Sequence, residues 1–150
     1  MVATATITTS TEQRIIVPNV SWATYESLLV DMFGRRSPRF TYDRGQLELM
    51  TTSYEHERDN RTLARVVSIV SEEFGVDAWD LGQATHKRED LKQGFEPDTC
   101  FFFHNRPRIR STLDFDPSVD LPPDLVIEVD LGKQDLVDSR RHAIVIEVRV

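Results

Sequence analysis

The chain has 150 residues, of which 39% are hydrophobic and 29% charged, and this composition predicts one globular domain with a core of its own. The formal net charge of −7 argues against a broad electrostatic grip on nucleic acid, although a local basic patch or an acidic metal site is compatible with it. One cysteine, no long apolar run and no leader-like N-terminus predict a cytoplasmic protein without disulfides or membrane spans.

The N-terminal part of the chain predicts a lead-in and one helix. Residues 1–20 are rich in threonine and β-branched residues, and we expect a flexible segment ahead of a single domain spanning residues 21–150. Ser21 is a suitable N-cap for a helix that runs to about Phe33, because apolar residues recur there at helical spacing. Gly34 follows as a helix-ending residue.

A hairpin and a long helix come next. The dipeptide Arg44-Gly45 is a two-residue turn candidate between strands at residues 40–43 and 46–50. Strand alternation places Glu48 on the face opposite its leucine neighbours. Residues 55–74 carry an apolar stripe at helical spacing and predict the longest helix of the chain.

The second half of the chain predicts mainly strands. Residues 76–90 alternate roughly between apolar and polar as one strand would, and a turn follows at 90–94. Two apolar runs with carboxylates set into them, 96–103 and 122–130, read as acidic strands, and 143–150 is a further strand-like run. The pattern predicts an α+β domain, with an antiparallel or mixed sheet packed against one or two helices.

The two acidic strands contain the carboxylate pair that suggests a site. If the strands are neighbours, Asp98 and Glu128 would lie close together at one end of the sheet. Such oxygen ligands suit Mg²⁺ or Mn²⁺, and an ion of this kind can activate water against a phosphodiester. The alternative is that Asp98 caps a strand and Glu128 is a solvated or salt-bridged strand residue.

Glu48 and His56 are individually weaker candidates. Glu48 on the hairpin is either a site residue or a solvent-facing strand acid, and His56 is either a catalytic or phosphate-positioning group or a cap at a helix start. One cysteine and four scattered histidines cannot supply the usual zinc ligand sets. No phosphate-binding glycine-rich loop and no nucleophile-serine motif is present in the sequence.

Four ordered segments of the sequence resemble the Uma2 family. They are residues 45–50 followed by Glu55-His56-Glu57 at a helix start, residues 81–85, residues 94–98 and residues 122–129. Members of this family, abundant in cyanobacteria, have a restriction-endonuclease-like fold of the PD-(D/E)xK type, with a mixed sheet flanked by helices. The resemblance implies the same fold here and metal-dependent hydrolysis of DNA.

The resemblance also implies roles for individual residues. Asp98 matches the acid of the PD element and Glu128 matches the acid of the (D/E)xK strand, so both would be catalytic metal ligands. By analogy, the backbone carbonyl of Val129 would complete the shell around Mg²⁺ or Mn²⁺. Glu48 and His56 match family positions that line the same cleft, and the implied partner is DNA.

Two departures from the family pattern bear on activity. The residue two after Glu128 is Asp130 where the motif has lysine, and the substitutes elsewhere in the chain would be Lys87 or Lys133. The motif resemblance ends at about residue 130, which implies a shortened or altered C-terminus. A central strand left with an open edge would favour dimerisation or instability.

Three hypotheses follow from the sequence. The leading one is a Uma2-type, Mg²⁺-dependent endonuclease acting on DNA. Its rival is a catalytically degenerate family member that kept the fold as a binding or dimerisation module, favoured by the missing lysine and the altered C-terminus. A third class, a metal-dependent hydrolase of another phosphoester, has no small-molecule pocket signal to support it.

Overall fold

The computed structural model describes residues 12–35, 37–108, 122–130 and 143–148. In chain order the elements are β1 (Gln13–Val17), α1 (Trp22–Asp31), β2 (Arg39–Asp43), β3 (Gln46–Thr51), α2 (Tyr54–Glu73), β4 (Trp79–Gly82), β5 (His86–Arg88), β6 (Gln93–Phe95), β7 (Thr99–Phe102), a 3₁₀ turn (Arg106–Arg108), β8 (Leu125–Asp130) and β9 (Ala143–Val148). The α+β class predicted from the sequence is confirmed.

The strands form two antiparallel sheets where the sequence predicted one. The first sheet has the strand order β1-β3-β2-β6-β5, and the second has the order β4-β7-β8-β9. Phe95 of the first sheet packs against buried side chains of the second, including Cys100 and Val126. The two sheets therefore meet face to face, and each carries one helix on its outer face.

Helix α1 covers the first sheet. The Ser21 side chain accepts a hydrogen bond from the Thr24 N–H at 3.1 Å, which confirms the predicted N-cap. The buried aromatic rings of Trp22 and Tyr25 pack against the apolar face of the β2–β3 hairpin, formed by Phe40, Tyr42 and Leu47. This packing turns the opposite face of the hairpin toward the second sheet.

Helix α2 covers the second sheet and matches its predicted bounds within one residue. The Ser53 side chain accepts from the His56 N–H at 3.2 Å and caps the helix. The apolar side chains that α2 buries pack against one face of β7 and β8; the cluster contains Leu63, Ala64, Val67, Phe101, Leu125, Ile127 and Val129. The first turn of α2 thereby lies against the end of β8.

Three segments differ from their predicted structure. Residues 76–90 form two strands in different sheets, because the chain turns at Gly82, whose φ of 57° is left-handed. Residues 96–98 connect the two sheets and do not extend the first acidic strand, which is only Thr99–Phe102. Part of the lead-in predicted to be flexible is strand β1, which pairs with β3; residues 1–11 lie outside the described ranges.

The C-terminal strand protects the second acidic strand. β9 pairs antiparallel with β8 along its length, from Asp130 opposite Ala143 to Leu125 opposite Val148. β8 therefore has hydrogen-bonded neighbours on both sides, and the open edge expected from a shortened C-terminus does not occur at this strand. In the described part of the chain no helix is long and apolar enough to cross a membrane.

Candidate active site between the two sheets

Asp98 lies where the chain passes from the first sheet to the second, and its side chain is buried. Its Oδ1 forms an ion pair with Nη1 of Arg39 from β2. Its Oδ2 accepts a hydrogen bond from the Val129 N–H at 2.6 Å and lies 3.1 Å from Nε2 of His56. One carboxylate thus joins β2, α2 and β8.

The first turns of α2 hold the backbone on either side of this carboxylate. Asn60, one turn after His56, donates from Nδ2 to the Asp98 carbonyl oxygen at 3.1 Å. The Thr99 hydroxyl in turn donates to Oδ1 of Asn60 at 2.9 Å. These buried contacts fix Asp98 at the start of β7 with little freedom to move.

Glu128 lies on β8, which pairs with the strand that follows Asp98. The antiparallel register pairs Thr99 with Ile127, so Asp98 directly precedes one member of this pair and Glu128 directly follows the other. Glu128 is half-buried and lines a cleft of about 520 Å³, together with residues such as Thr41 and His86. Asp98 forms an ion pair with Arg39, and the charge of Glu128 acts on the pKa of the same arginine.

Arg39 is a site residue that the sequence analysis missed. Only 3% of it is exposed, and its guanidinium lies between the two sheets beside Asp98. Burial lowers the pKa of Arg39, whereas nearby carboxylates act to raise it, and Glu128 has the largest effect among them. The sequence offers no local signal for this role, because Arg39 shares its strand face with the polar residues Thr41 and Asp43 and would be expected to face solvent.

His56 is held as a neutral imidazole. Burial and then the positive charge of Arg39 lower its pKa, which outweighs the opposing effects of nearby acids and of the Val129 backbone. A neutral ring with its proton on Nε2 can donate to Oδ2 of Asp98. The structure thus places this predicted site residue directly beside Asp98.

Glu48 belongs to a neighbouring group of charges. It lies opposite Thr41, on the hairpin face away from its leucine neighbours, as predicted. Its carboxylate is 3.6 Å from Nη1 of Arg14 on β1, and the charge of Asp130 also acts to raise the pKa of Arg14. Glu48 thus pairs with Arg14, whereas Asp98 pairs with Arg39.

The lysine substitutes suggested by the sequence do not contact Asp98 in the described residues. Lys87 is among the residues that line the cleft with Glu128, but its Nζ pairs with Oε1 of Glu26 of α1 at 2.9 Å. Lys133 lies outside the described residues. Arg39 is the cation that the structure places on Asp98.

The second Pro-Asp pair has a different, structural environment. Oδ2 of Asp124 accepts hydrogen bonds from the backbone N–H groups of Phe103 at 2.7 Å and Asn105 at 3.0 Å. These bonds close the loop that follows β7. The contacts give Asp124 a role in holding this loop.

The donor set fits a hard divalent cation held by two carboxylates and water. Mg²⁺ is commonly bound through one or two carboxylates with several waters. Across the described ranges, no group of three or more histidine, cysteine, aspartate or glutamate side chains is placed to hold a metal.

A comparison with protein-family models matches residues 22–145 to Uma2, a family whose description reads "Putative restriction endonuclease". The chain belongs to the Uma2 family. The match continues past residue 130, where the motif resemblance ends, and it includes part of β9. Neither the search of curated proteins nor the search of solved structures returned a match.

Membership agrees with the geometry of the molecule. Two helices and two antiparallel sheets are consistent with a restriction-endonuclease-like fold. Families of this kind generally use a divalent metal and act on DNA. Uma2 membership therefore points to nuclease function.

Proposed function

We propose that this Uma2-family protein is a cytoplasmic, divalent-cation-dependent endonuclease that hydrolyses phosphodiester bonds in DNA. The observation that carries the proposal is that Asp98 and Glu128 flank the paired residues Thr99 and Ile127 of adjacent strands and that both act on Arg39. Asp98 is fixed by buried contacts, and Glu128 lines an open cleft through which a substrate can approach. Such a pairing of a fixed acid with an accessible one supports a site for chemistry.

Mg²⁺ or Mn²⁺ would be held by the carboxylates of Asp98 and Glu128 and by the backbone carbonyl of Val129. When bound, the ion would polarise a phosphoryl oxygen and lower the pKa of a coordinated water. Carboxylate, carbonyl and water ligands of this kind suit Mg²⁺ and Mn²⁺.

The surrounding residues of the chain orient and charge-balance the acidic pair. Arg39 favours the ionised form of Asp98, because an adjacent positive charge stabilises a buried carboxylate. Neutral His56 lies with Nε2 3.1 Å from Oδ2 and closes that side of the carboxylate. We assign Glu48 a supporting role beside Arg14.

A homodimer is part of the proposal, because a net charge of −7 works against DNA binding unless two copies gather their arginine residues into one groove. Helix α2 leaves four large apolar side chains exposed on one side, namely Val66, Ile69, Val70 and Phe74. Arg65 precedes this patch and Glu72 lies near its end. Two copies of α2 packed antiparallel would therefore place Arg65 of one protomer beside Glu72 of its partner.

Light scattering over a concentration series tests the dimer. We expect Ile69→Glu and Arg65→Glu to weaken association, and the double variant Arg65→Glu with Glu72→Arg to restore it. A wild-type protein that stays monomeric at all concentrations contradicts this part of the proposal.

The second candidate function is a catalytically degenerate binding or dimerisation module. The contacts of Asp98 favour it, because a carboxylate already satisfied by Arg39, His56 and a backbone N–H can serve structure alone. Asp130 in the place of the motif lysine points the same way.

Plasmid cleavage by the purified full chain separates the two functions. With Mg²⁺ or Mn²⁺ present, we expect wild type to nick or linearise supercoiled DNA, and EDTA to abolish this. Asp98→Asn and Glu128→Gln should each reduce the rate by about 100-fold or more, since even outer contacts of a metal site commonly cost 10–100-fold. Asp124→Asn is the matched control, because it alters the other Pro-Asp pair and should leave cleavage intact.

The rival function predicts a different set of results. Wild type would show no metal-dependent cleavage on supercoiled, linear duplex or single-stranded DNA. Mn²⁺ would also leave the thermal unfolding temperature of wild type unchanged, and Asp98→Asn would differ only in stability.

A further inference from the structure

The guanidinium of Arg39 is unusually placed for a structural arginine. It is almost fully buried between the sheets, and its ion pair with Asp98 uses Nη1. Within the described residues, Nε and Nη2 of Arg39 are buried and have no hydrogen-bond partner. The N–H groups of a buried arginine are normally hydrogen-bonded, whereas these two nitrogens of Arg39 have donors without an acceptor.

The charges around Arg39 show which carboxylates interact with it. Among the acids that act on its pKa, Glu128 has the largest effect, so its positive charge is felt by both members of the acidic pair. Two neighbouring carboxylates repel each other, and a cation between the sheets relieves that repulsion. Arg39 therefore balances the pair as a unit.

The position of Arg39 also fills a gap in the family motif. The residue two after Glu128 is Asp130, whose charge acts on Arg14. Lys87 pairs with Glu26 of α1. Arg39 reaches the acidic pair from β2, so its charge comes from a different strand than the motif position.

We propose that Arg39 replaces the motif lysine as the positive charge at the Asp98–Glu128 pair and positions this pair for catalysis. The inference rests on the proposed function. As a positioning residue, Arg39 acts through Asp98, holding its Oδ1, and through the charge that it presents to Glu128. The charge that helps the reaction also competes with the metal for the same carboxylates.

This competition gives two effects of opposite sign. Removing the charge of Arg39 takes a nearby positive charge away from both carboxylates, which favours Mn²⁺ binding there. It also removes the cation that stabilises developing negative charge, which slows cleavage. If Arg39 were purely structural, its removal would not strengthen Mn²⁺ binding while slowing cleavage, and lysine would not restore cleavage.

The experiment compares wild type, Arg39→Gln, Arg39→Lys and Asp98→Asn as full chains. Arg44→Gln is the matched control, since Arg44 is an exposed arginine of the same hairpin that pairs with Asp43. Each variant is checked for cooperative thermal unfolding, titrated with Mn²⁺ alone, and assayed for cleavage of supercoiled plasmid.

We expect Arg39→Gln to cut about 100-fold more slowly, the scale for removing one charge-stabilising group from an active site. The same variant should reach half-saturation at a lower Mn²⁺ concentration than wild type. Arg39→Lys should recover cleavage to within about tenfold of wild type, because it keeps the charge but loses the planar fork. Arg44→Gln should match wild type in both measurements.

Two results overturn the inference. One is Arg39→Gln cleaving as fast as wild type or faster; the other is a parallel loss of cleavage and Mn²⁺ binding, which marks a structural role. If Arg39→Gln does not fold, Arg39→Lys decides, and a lysine variant as inactive as Asp98→Asn overturns the inference. Failure of the proposed function is distinct, because wild type and Asp98→Asn would then be equally inactive.

Discussion

The carboxylate of Asp98 and the guanidinium of Arg39 form a buried ion pair that joins the two sheets of the molecule. Neither partner has water to solvate its charge, so each depends on the other. His56 and the Val129 N–H complete the surroundings of the carboxylate. The same contacts that hold the sheets together therefore also define the candidate active site.

Breaking the ion pair from the arginine side should destabilise the fold. Arg39→Met removes the charge while keeping much of the side-chain volume, and it leaves the Asp98 carboxylate buried without its cation. We expect the free energy of unfolding to fall by about 3–5 kcal/mol, the cost of an uncompensated buried charge. Urea denaturation at pH 7 measures this loss of stability. The control is Arg44→Met, at an exposed arginine of the same hairpin, which should leave the urea midpoint unchanged. Equal midpoints for Arg39→Met and Arg44→Met would contradict the structural role of the ion pair.

His56 should make stability depend on pH. Because burial and Arg39 lower its pKa in the folded state, the unfolded chain binds the proton more readily. The stability that neutral His56 contributes is therefore present above the unfolded pKa of about 6.5 and is lost as pH falls below it toward the folded pKa.

The comparison that isolates this effect uses His56→Asn. Urea denaturation of wild type and variant at pH 7.5 and pH 5.5 should show a larger loss of stability in wild type. His104, an exposed histidine after β7, provides the control variant His104→Asn, which should retain the wild-type pH dependence. An identical pH dependence in wild type and His56→Asn would show that His56 is not held neutral.

Gly94 is required by the packing of α1 on the first sheet. A Cβ at this position of β6 would lie 2.9 Å from Cε1 of the fully buried Tyr25 ring. That ring also stacks on Tyr42, so it cannot move away freely. Gly94→Ala should therefore lower the free energy of unfolding by about 1–3 kcal/mol, the usual cost of overpacking a core. Adding Tyr25→Phe should regain part of the loss; a Gly94→Ala protein as stable as wild type would contradict the described packing.

Asp124 should matter for stability and not for cleavage. Its carboxylate accepts from two backbone N–H groups after β7, and hydrogen bonds to a charged group contribute about 1.5–3 kcal/mol. Asp124→Ala should lower the urea midpoint, whereas Asp124→Asn, which keeps one acceptor oxygen, should lose less. Plasmid cleavage per folded molecule should stay at the wild-type level in both. A loss of cleavage as large as that of Asp98→Asn would place Asp124 in the site instead.

Local signals in the sequence predicted the elements that hold the site. Ser21 precedes α1 and caps it as expected, and α2, capped by Ser53, begins within one residue of its predicted start, because side-chain capping and helical periodicity are properties of short segments. The hairpin around Arg44-Gly45 has its predicted register and places Glu48 on the predicted face.

Long-range features could not be read from the same signals. The chain leaves the first sheet at Gln93–Phe95 and enters the second at Thr99–Phe102. The sequence pattern around Pro97 does not indicate whether the strands on either side of it belong to one sheet or to two. Arg39 was missed for a related reason, because its anion lies far along the chain on another element. The position of Asp98 beside His56 likewise depends on how α2 packs on β8.

The most direct test of the central claim is a Mn²⁺ titration of wild type, Asp98→Asn and Glu128→Gln, followed by electron paramagnetic resonance of the free ion. If these two acids hold one divalent cation, wild type removes Mn²⁺ from solution at a site that both variants lose. Asp124→Asn should keep that site. If Asp98→Asn and Glu128→Gln bind Mn²⁺ as wild type does, the two acids do not form a metal centre and the proposed nuclease site is wrong.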